Sequence, residues 1–293
     1  MSWWSGLEQI CRPDEPLAAR TWYGLGGPAR WFCMPRDERE LATLLQRCAA
    51  DGVAWRVLGR GANVLVRDEG VDAVVIHLTG PAWEEIRFDP PLVHAAAGVD
   101  FTKLVRTTLE AGLLGLEGLA GIPGSLGGVI RMNAGGKYGS ISQYVHSVRL
   151  MQPDGTPLVR TAAELHFEYR RAVLDGCVVT GATLALTPGD CAAGLRRFRE
   201  VWNEKHATQP PVSVRSAGCI FKNPPGDAAG RLIDAAGLKG TRCGGAEISR
   251  RHANFIEAHA GAQAADVLHL IDLARDRVRE EFGIVLEPEV EIW

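Results

Sequence analysis

The chain has no surplus of basic charge, no long apolar run, no close cysteine pair and no phosphate-loop signature. Lys and Arg number 32 and Asp and Glu 35, a formal net charge of −3. A general nucleic-acid binder needs a basic excess, so that class is excluded. No stretch approaches the about 20 apolar residues of a membrane-spanning helix. The opening Met1-Ser-Trp-Trp-Ser-Gly-Leu-Glu has neither a basic nor an apolar leader region, so a secretory signal is not expected. The expected compartment is the cytoplasm. Cysteines stand at 11, 33, 48, 177, 191, 219 and 243, an odd count with no two closer than fourteen residues. There is no Cys-x-x-Cys and no Cys/His cluster at zinc spacing, so neither a metal site nor a disulfide framework is expected. Most of these thiols should be small core residues. The absence of Gly-Lys-Ser/Thr argues against a P-loop enzyme.

What remains is an ordinary globular composition, 46% hydrophobic and 23% charged over 293 residues. That length suggests about two domains, or one large one, with core enough to need no staple. Glycine is the informative excess: 34 residues, against about 7% in typical proteins. Ten of them fall between Gly112 and Gly139. The Leu, Ile and Val among them are buried types, so this is no flexible linker. Such density means a backbone that turns through positive φ or lets another group come close.

A coarse reading gives an α+β chain. Asp37 caps a helix whose apolar stripe is Leu41, Leu44, Leu45 and Cys48. Strand-like runs follow at Trp55–Leu58, Asn63–Val66 and Ala73–Leu78. A second unit starts near Pro91, with a strand at Leu92–Ala97 and a helix capped by Asp100. Beyond the glycine-rich segment, Val145–Gln152, Leu158–Thr161 and Cys177–Leu186 read as sheet, and Leu195, Phe198 and Trp202 as a helix face. Gln209-Pro-Pro marks a boundary. The third unit holds a short helix ending at Gly237, a strand at Ala253–Ile256, a helix through Val267, Leu268, Ile271, Ala274 and Val278, and a terminal strand from Ile284.

Five segments could carry chemistry. Gly59-Arg60-Gly61-Ala62-Asn63 offers a nest of backbone N–H groups for phosphate oxygens, although Gly-x-Gly is also common in plain β-turns. No third glycine and no helix follow it, so it is not a Rossmann fingerprint. Gly121-Ile122-Pro123-Gly124-Ser125-Leu126-Gly127-Gly128 is a second nest that could open a helix toward a pyrophosphate; the alternative is a tightly packed turn. Two nests on adjacent units point to a dinucleotide. Ser216-Ala-Gly-Cys219-Ile-Phe-Lys222-Asn223 sets a thiol on a bend ahead of two residues suited to anionic oxygens. Glu168-Tyr-Arg170 and Leu286-Glu-Pro-Glu289-Val are unremarkable alone, and His252 reads as a packing residue.

In order, these segments resemble the UDP-N-acetylenolpyruvoylglucosamine reductases, the MurB flavoenzymes. The resemblance runs from Arg20-Thr-Trp-Tyr-Gly-Leu-Gly-Gly-Pro-Ala to Leu286-Glu-Pro-Glu-Val. It includes Gly59-Arg-Gly-Ala-Asn, Gly115-Leu-Glu-Gly-Leu-Ala-Gly-Ile-Pro-Gly, Glu168-Tyr-Arg, Ser216-Ala-Gly-Cys-Ile-Phe-Lys-Asn-Pro, Ala229-Gly-Arg-Leu-Ile-Asp-Ala-Ala-Gly-Leu-Lys-Gly and His252-Ala-Asn-Phe-Ile. It implies an FAD-binding module of two α+β parts, of the vanillyl-alcohol-oxidase (PCMH) type, with a C-terminal α+β substrate domain. The implied division is 1–80 and 81–189 for the FAD module (the PCMH-type unit about 26–189) and 190–293 for substrate.

By that resemblance FAD lies between the first two parts, lined by Gly59, Arg60, Gly61, Ala62 and Asn63 and by Ile122, Pro123, Gly124, Ser125, Gly127 and Gly128. The catalytic trio falls on Arg170, Cys219 and Glu289, while Lys222 and Asn223 hold substrate. NADPH reduces the flavin. UDP-N-acetylglucosamine enolpyruvate then takes the hydride at C3 and a proton at C2, to give UDP-N-acetylmuramate for peptidoglycan. No metal and no nucleic acid is implied, and no interface signal contradicts a monomer.

The chain departs from the family pattern in four places. Ala62 replaces a serine. Asn133-Ala-Gly-Gly-Lys-Tyr-Gly is one residue longer than usual. Tyr169-Arg-Arg-Ala replaces Tyr-Arg-x-Ser. Cys219 stands where the proton donor is usually serine. The rival readings are a same-fold oxidase of a small alcohol, for which a tethering His at position 60 is missing, and a non-catalytic flavin- or UDP-sugar-binding descendant, to which the trio would be useless.

Overall fold

The amphipathic segments form helices where their caps predict. In α1 (Glu38–Ala50) the Asp37 carboxylate accepts the Glu40 N–H at 2.8 Å, and Leu41, Leu44, Leu45 and Cys48 are buried. In α2 (Phe101–Glu110) Asp100 does the same for Lys103 at 2.8 Å, with Phe101, Leu104, Val105 and Leu109 inward. Such caps satisfy N–H groups that a helix start leaves without intrahelical partners. The structure, a computed structural model, describes residues 3–293; Met1 and Ser2, which open the segment read as lacking a leader, lie outside them.

The chain divides into two units interleaved in sequence. One comprises the chain up to Pro13, Trp31–Arg60 and Ala73–Glu204; the other comprises Asp14–Arg30, Gly61–Asp72 and Lys205–Trp293.

The first unit is built on sheets. A five-stranded antiparallel sheet has the order Pro157–Thr161, Val145–Met151, Val178–Ala185, Leu92–Ala96, Ile86–Asp89. Trp55–Val57 pairs in parallel with residues 74–76 of the strand Val71–Ile76, in a second, four-stranded sheet to which Cys11–Pro16 and Pro28–Cys33 also belong and of which this unit holds residues 11–13, 31–33, 55–57 and 73–76. A single core joins α1, α2 and both sheets through residues such as Leu44, Ile76, Val93, Leu104, Val148 and Leu184. The strands Cys11–Pro16, Pro28–Cys33 and Ile86–Asp89 are not legible in the sequence. From Gly112 to Gly127 glycine recurs at every third position, but the chain there alternates a short 3-10 turn, Leu116–Leu119, with α3 (Leu126–Arg131).

The second unit packs α5 (Ala229–Ala235) and α6 (Ala264–Phe282) on the three-stranded antiparallel sheet Arg242–Cys243, Ala246–Ile248, Ile256–Ala258. Both carboxylate oxygens of Asp68 accept N–H groups at the start of α6, from Ala264 and Ala265 at 2.9 Å. Gly283, at φ 69°, ends that helix in the left-handed region. Glu291–Ile292 adds a parallel partner to Val64–Leu65.

Three expectations need correction. Cys11 and Cys33 form a disulfide, with Cα atoms 4.1 Å apart. They lie 22 residues apart in sequence, so spacing carried no sign of a pair that neighbouring strands create. The other five cysteines form no disulfide. Residues 253–255 are a turn, and the strand begins at Ile256. The terminal strand is regular only over Glu291–Ile292, because a bulge interrupts it at Glu289.

Candidate active site

The first glycine loop leaves the sheet at Val57, and its residues divide between the units after Arg60. In the first unit, a Cβ built on Gly59 would fall 2.4 Å from the Ser125 hydroxyl oxygen. The two glycine-rich segments therefore touch, and a side chain at Gly59 would displace the Ser125 hydroxyl. Arg60 reaches Asp100, Nε to Oδ2 at 3.1 Å. In the second unit Gly61 sits at φ 68°, and a Cβ there would lie 2.1 Å from the Arg20 carbonyl. The Leu58 N–H donates to Ile76, whereas those of Gly59 to Asn63 reach no backbone carbonyl among the described residues. Asn63 is anchored otherwise: its Nδ2 donates to the Glu289 carbonyl at 3.0 Å, and the Asn63 carbonyl accepts the Glu291 N–H at 3.0 Å.

In the second segment Pro123-Gly124-Ser125 does lead into a helix, α3, with Gly124 at φ 118°. The first two N–H groups of α3 are engaged, however: Leu126 donates to Val99 and Gly127 to Ala97. Ile122 donates to Leu119. Among the described residues the N–H groups of this segment that reach no backbone carbonyl are those of Gly121, Gly124, Ser125 and Gly128, so loop and helix start both keep donors.

Arg170 occupies a two-residue turn of the hairpin Phe167–Glu168/Arg171–Ala172. Its φ is 59°, a conformation that costs a residue with a Cβ about 1–2 kcal/mol. Strain of this kind persists where surroundings hold it, and it concentrates at functional positions. The guanidinium lies over the Tyr169 ring, 5.0 Å from its centroid.

Cys219 and Glu289 are brought together on neighbouring segments of the second unit. The Phe221 and Pro288 backbones pair, the Lys222 N–H donates to Glu287, and the Glu289 and Val290 N–H groups both donate to the Ile220 carbonyl, at 2.7 and 3.3 Å. Two residues opposite one is a β-bulge. Cys219 is half-buried and follows Gly218 at φ 76°. Lys222 forms an ion pair with Glu287, and the Asn223 Oδ1 accepts the Ala229 N–H at 3.0 Å, closing the loop that leads into α5. His252 packs, as its context suggests: its ring meets Phe255 edge-on at 5.0 Å, and burial pushes its pKa below the usual value.

One residue that organises this region was not singled out from sequence. Asn254, 2% exposed, accepts the Phe221 N–H on Oδ1 at 2.9 Å and returns Nδ2 to the Phe221 carbonyl at 2.8 Å. Its backbone carbonyl takes the Ile220 N–H. The available signal was a lone amide inside the apolar run Ala253-Asn-Phe-Ile, since a buried amide must find partners.

Known proteins match this chain along its length. The UDP-N-acetylenolpyruvoylglucosamine reductase of Heliobacterium modesticaldum is 42% identical over 95% of this chain and 89% of its own. That of Anaeromyxobacter sp. (strain Fw109-5) is 45% identical over 95% and 87%. The chain belongs to the UDP-N-acetylenolpyruvoylglucosamine reductase family. The reductase family's C-terminal domain model matches residues 209–293, and an FAD binding domain model matches 29–161. The crystal structure of the reductase MurB from Thermus caldophilus aligns with TM-score 0.82 and 40% identity, covering 97% of this chain and 98% of that one. A Phl p 4 variant, a glucose oxidase, aligns at TM-score 0.52 and 14% identity over 77% of this chain and 53% of its own, which is a likeness of fold. The fold is that of the PCMH-type FAD-binding proteins.

The residues present fit the cofactor of that family. Both glycine segments lie inside the FAD-domain match, their contact is one that a Cβ at Gly59 would fill, and the N–H groups of Gly59 to Asn63 suit phosphate oxygens. Ala62 offers no hydroxyl there, so the backbone must serve. The extra residue of Asn133–Gly139 is absorbed by a glycine hairpin, where Lys137 and Tyr138 bind Glu204 and the Tyr138 ring lies under Arg197, 4.5 Å from its guanidinium carbon.

Proposed function

We propose that this chain is an FAD-containing, NADPH-dependent oxidoreductase that reduces UDP-N-acetylglucosamine enolpyruvate to UDP-N-acetylmuramate, a step of peptidoglycan precursor synthesis. The observation that carries the proposal is a match to the reductases along nearly the whole chain, in which Cys219 and Glu289 stand on hydrogen-bonded neighbouring segments. The chemistry that bound FAD supplies is hydride transfer, from NADPH and onward to C3 of the enol ether.

The chain's own residues handle the charge and the proton. As C3 gains a hydride, negative charge spreads over C2 and the carboxylate. Arg170 binds that carboxylate with its planar fork and stabilises the growing charge, held in place before the reaction by its fixed turn. Cys219 donates a proton to C2 and regains one from water. An ordinary thiol, with a pKa of about 8.5, is a stronger acid than the hydroxyl more usual at this position. Glu289 would assist if protonated or bridged to Arg170, because an ionised and unpaired carboxylate would repel the intermediate. Lys222 and Asn223 hold substrate: the ammonium exchanges Glu287 for an anionic oxygen, and the Asn223 amide keeps its NH2 to donate. Residues 59–63 and 122–128 hold the cofactor, within FAD-binding parts 1–80 and 81–189, and 190–293 receive the nucleotide sugar. The enzyme works as a monomer in the cytoplasm.

Isotopes test the reaction. With unlabelled NADPH in heavy water the product should carry deuterium at C2, and deuterium at C3 reports only exchange of the transferred hydrogen with solvent before it leaves the flavin. Consumption of NADPH without an acid product, or product formed in heavy water without deuterium at C2, would overturn the assignment.

A further inference from the structure

Asn133 sits at the C-terminal end of α3, and its backbone N–H donates to the Ile130 carbonyl at 2.9 Å. It is 7% exposed, and its φ of 39° lies in the left-handed region, where few residues other than glycine and asparagine are found. Both ends of its side-chain amide are engaged. Nδ2 donates to the Glu168 carbonyl at 2.8 Å, and Oδ1 accepts the Ser142 N–H at 3.3 Å. Glu168 is the last paired residue before the Tyr169–Arg170 turn. The strained turn is therefore tied, through one buried amide, to the helix that begins at Ser125 beside Gly59.

We infer that Asn133 is a positioning residue for Arg170: it fixes the height of the Glu168–Arg171 turn against α3 and so aims the guanidinium at the substrate carboxylate. The residue type follows from the geometry. Aspartate has no donor and would face the Glu168 carbonyl with a second acceptor. Glutamine is one methylene too long for a 2.8 Å contact. Glycine accepts the φ but has no amide. This inference rests on the reading of Arg170 as the carboxylate-binding residue, a two-pronged role that tolerates little misplacement.

The test compares FAD-loaded, full-length Asn133→Asp, Asn133→Gly and Arg170→Ala proteins and the two double variants. It measures flavin reduction by NADPH, flavin reoxidation by the enolpyruvyl substrate, and amide hydrogen exchange over residues 168–172. Each Asn133 variant should reduce its flavin within twofold of wild type, reoxidise it at least tenfold more slowly, and exchange faster over 168–172. In the Arg170→Ala background either substitution should change reoxidation by less than twofold, because the group it aims is gone. Full additivity with Arg170→Ala, equal losses in both half-reactions, or unchanged exchange over 168–172 would overturn the inference. If Asn133→Asp does not fold, Asn133→Gly carries the comparison alone, since glycine is at ease at φ 39°. Wild-type reoxidation by Arg170→Ala itself would show that the reading of Arg170 fails, an outcome distinct from failure at Asn133.

Discussion

Asn63 and Glu289 lie 226 residues apart in the chain and share a hydrogen bond, the Asn63 amide donating to the Glu289 carbonyl at 3.0 Å. With Glu291 donating back to Asn63 and Val64–Leu65 paired to Glu291–Ile292, the end of the first glycine loop and the Glu289 bulge form one bonded element. A residue that sequence reasoning gave to the cofactor thus spends its side chain on the segment that carries the candidate acid.

Asn63→Ala should accordingly act on the substrate step. Loss of one partly buried hydrogen bond is worth about 1 kcal/mol, or about fivefold in rate if Glu289 shifts with it. Flavin content should stay near wild type, because the backbone N–H groups of residues 59–63 all remain. Loss of flavin with an unaltered substrate step in the retained fraction would return Asn63 to the cofactor alone.

Arg170→Lys should keep the flavin spectrum and reduction by NADPH. The substrate half-reaction should slow by about 10- to 1000-fold, since lysine keeps the charge and loses the fork. Lysine also inherits the φ of 59°. Equal slowing of both half-reactions would make Arg170 a structural residue.

Cys219→Ser should remain substantially active. Cys219→Ala should still accept hydride from NADPH on its flavin and lose protonation of the reduced substrate. Iodoacetamide should inactivate wild type, with protection by substrate, and spare Cys219→Ser. Mass spectrometry must follow the site of alkylation, because Cys191 and Cys243 also form no disulfide and are partly exposed. Wild-type turnover by Cys219→Ala would reduce Cys219 to a packing thiol.

Glu247 predicts a pH effect in the second unit. Its carboxylate is 5% exposed and accepts from Arg242 Nε at 2.6 Å and Arg250 Nε at 2.8 Å, with His259 Nε2 at 3.8 Å from the same group. Burial would raise its pKa, but the two guanidinium bonds prevail and hold it below the ordinary carboxylate value. A depressed folded pKa gives stability that is present above the unfolded value of about 4.3 and lost as pH falls through the folded one. Glu247→Gln should cost about 2 kcal/mol at pH 7, and the gap to wild type should close as denaturation is measured at falling pH below 4. A gap constant with pH would mean that packing of Glu247, not its charge, matters.

Much of the fold was legible because it depends on local chemistry. Asp37 and Asp100 announce helices by their spacing from Glu40 and Lys103, and the stripe from Val267 to Val278 can be buried only as a helix. What stayed hidden depends on partners distant in sequence. Cys11 meets Cys33 because their strands are neighbours, and nothing local marks Cys11–Pro16 or Pro28–Cys33 as strands. The bulge at Glu289 exists only against Ile220. Asn133 and Asn254 look like loop residues until the carbonyls of Glu168 and Phe221 are placed beside them. The glycine segments stand out by composition, but the contact of Gly59 with Ser125 and the engaged N–H groups at the start of α3 depend on residues distant in the chain.

The central claim is a flavin that takes reducing equivalents from one substrate and gives them to another, and anaerobic mixing tests it most directly. The purified yellow protein is titrated with NADPH until its flavin absorbance is bleached, then mixed with UDP-N-acetylglucosamine enolpyruvate without oxygen. Full return of the oxidised spectrum, with one UDP-N-acetylmuramate formed per flavin, is the result expected. A flavin that NADPH does not bleach, or one that stays bleached with the enolpyruvyl substrate and recovers only in air, would contradict the account.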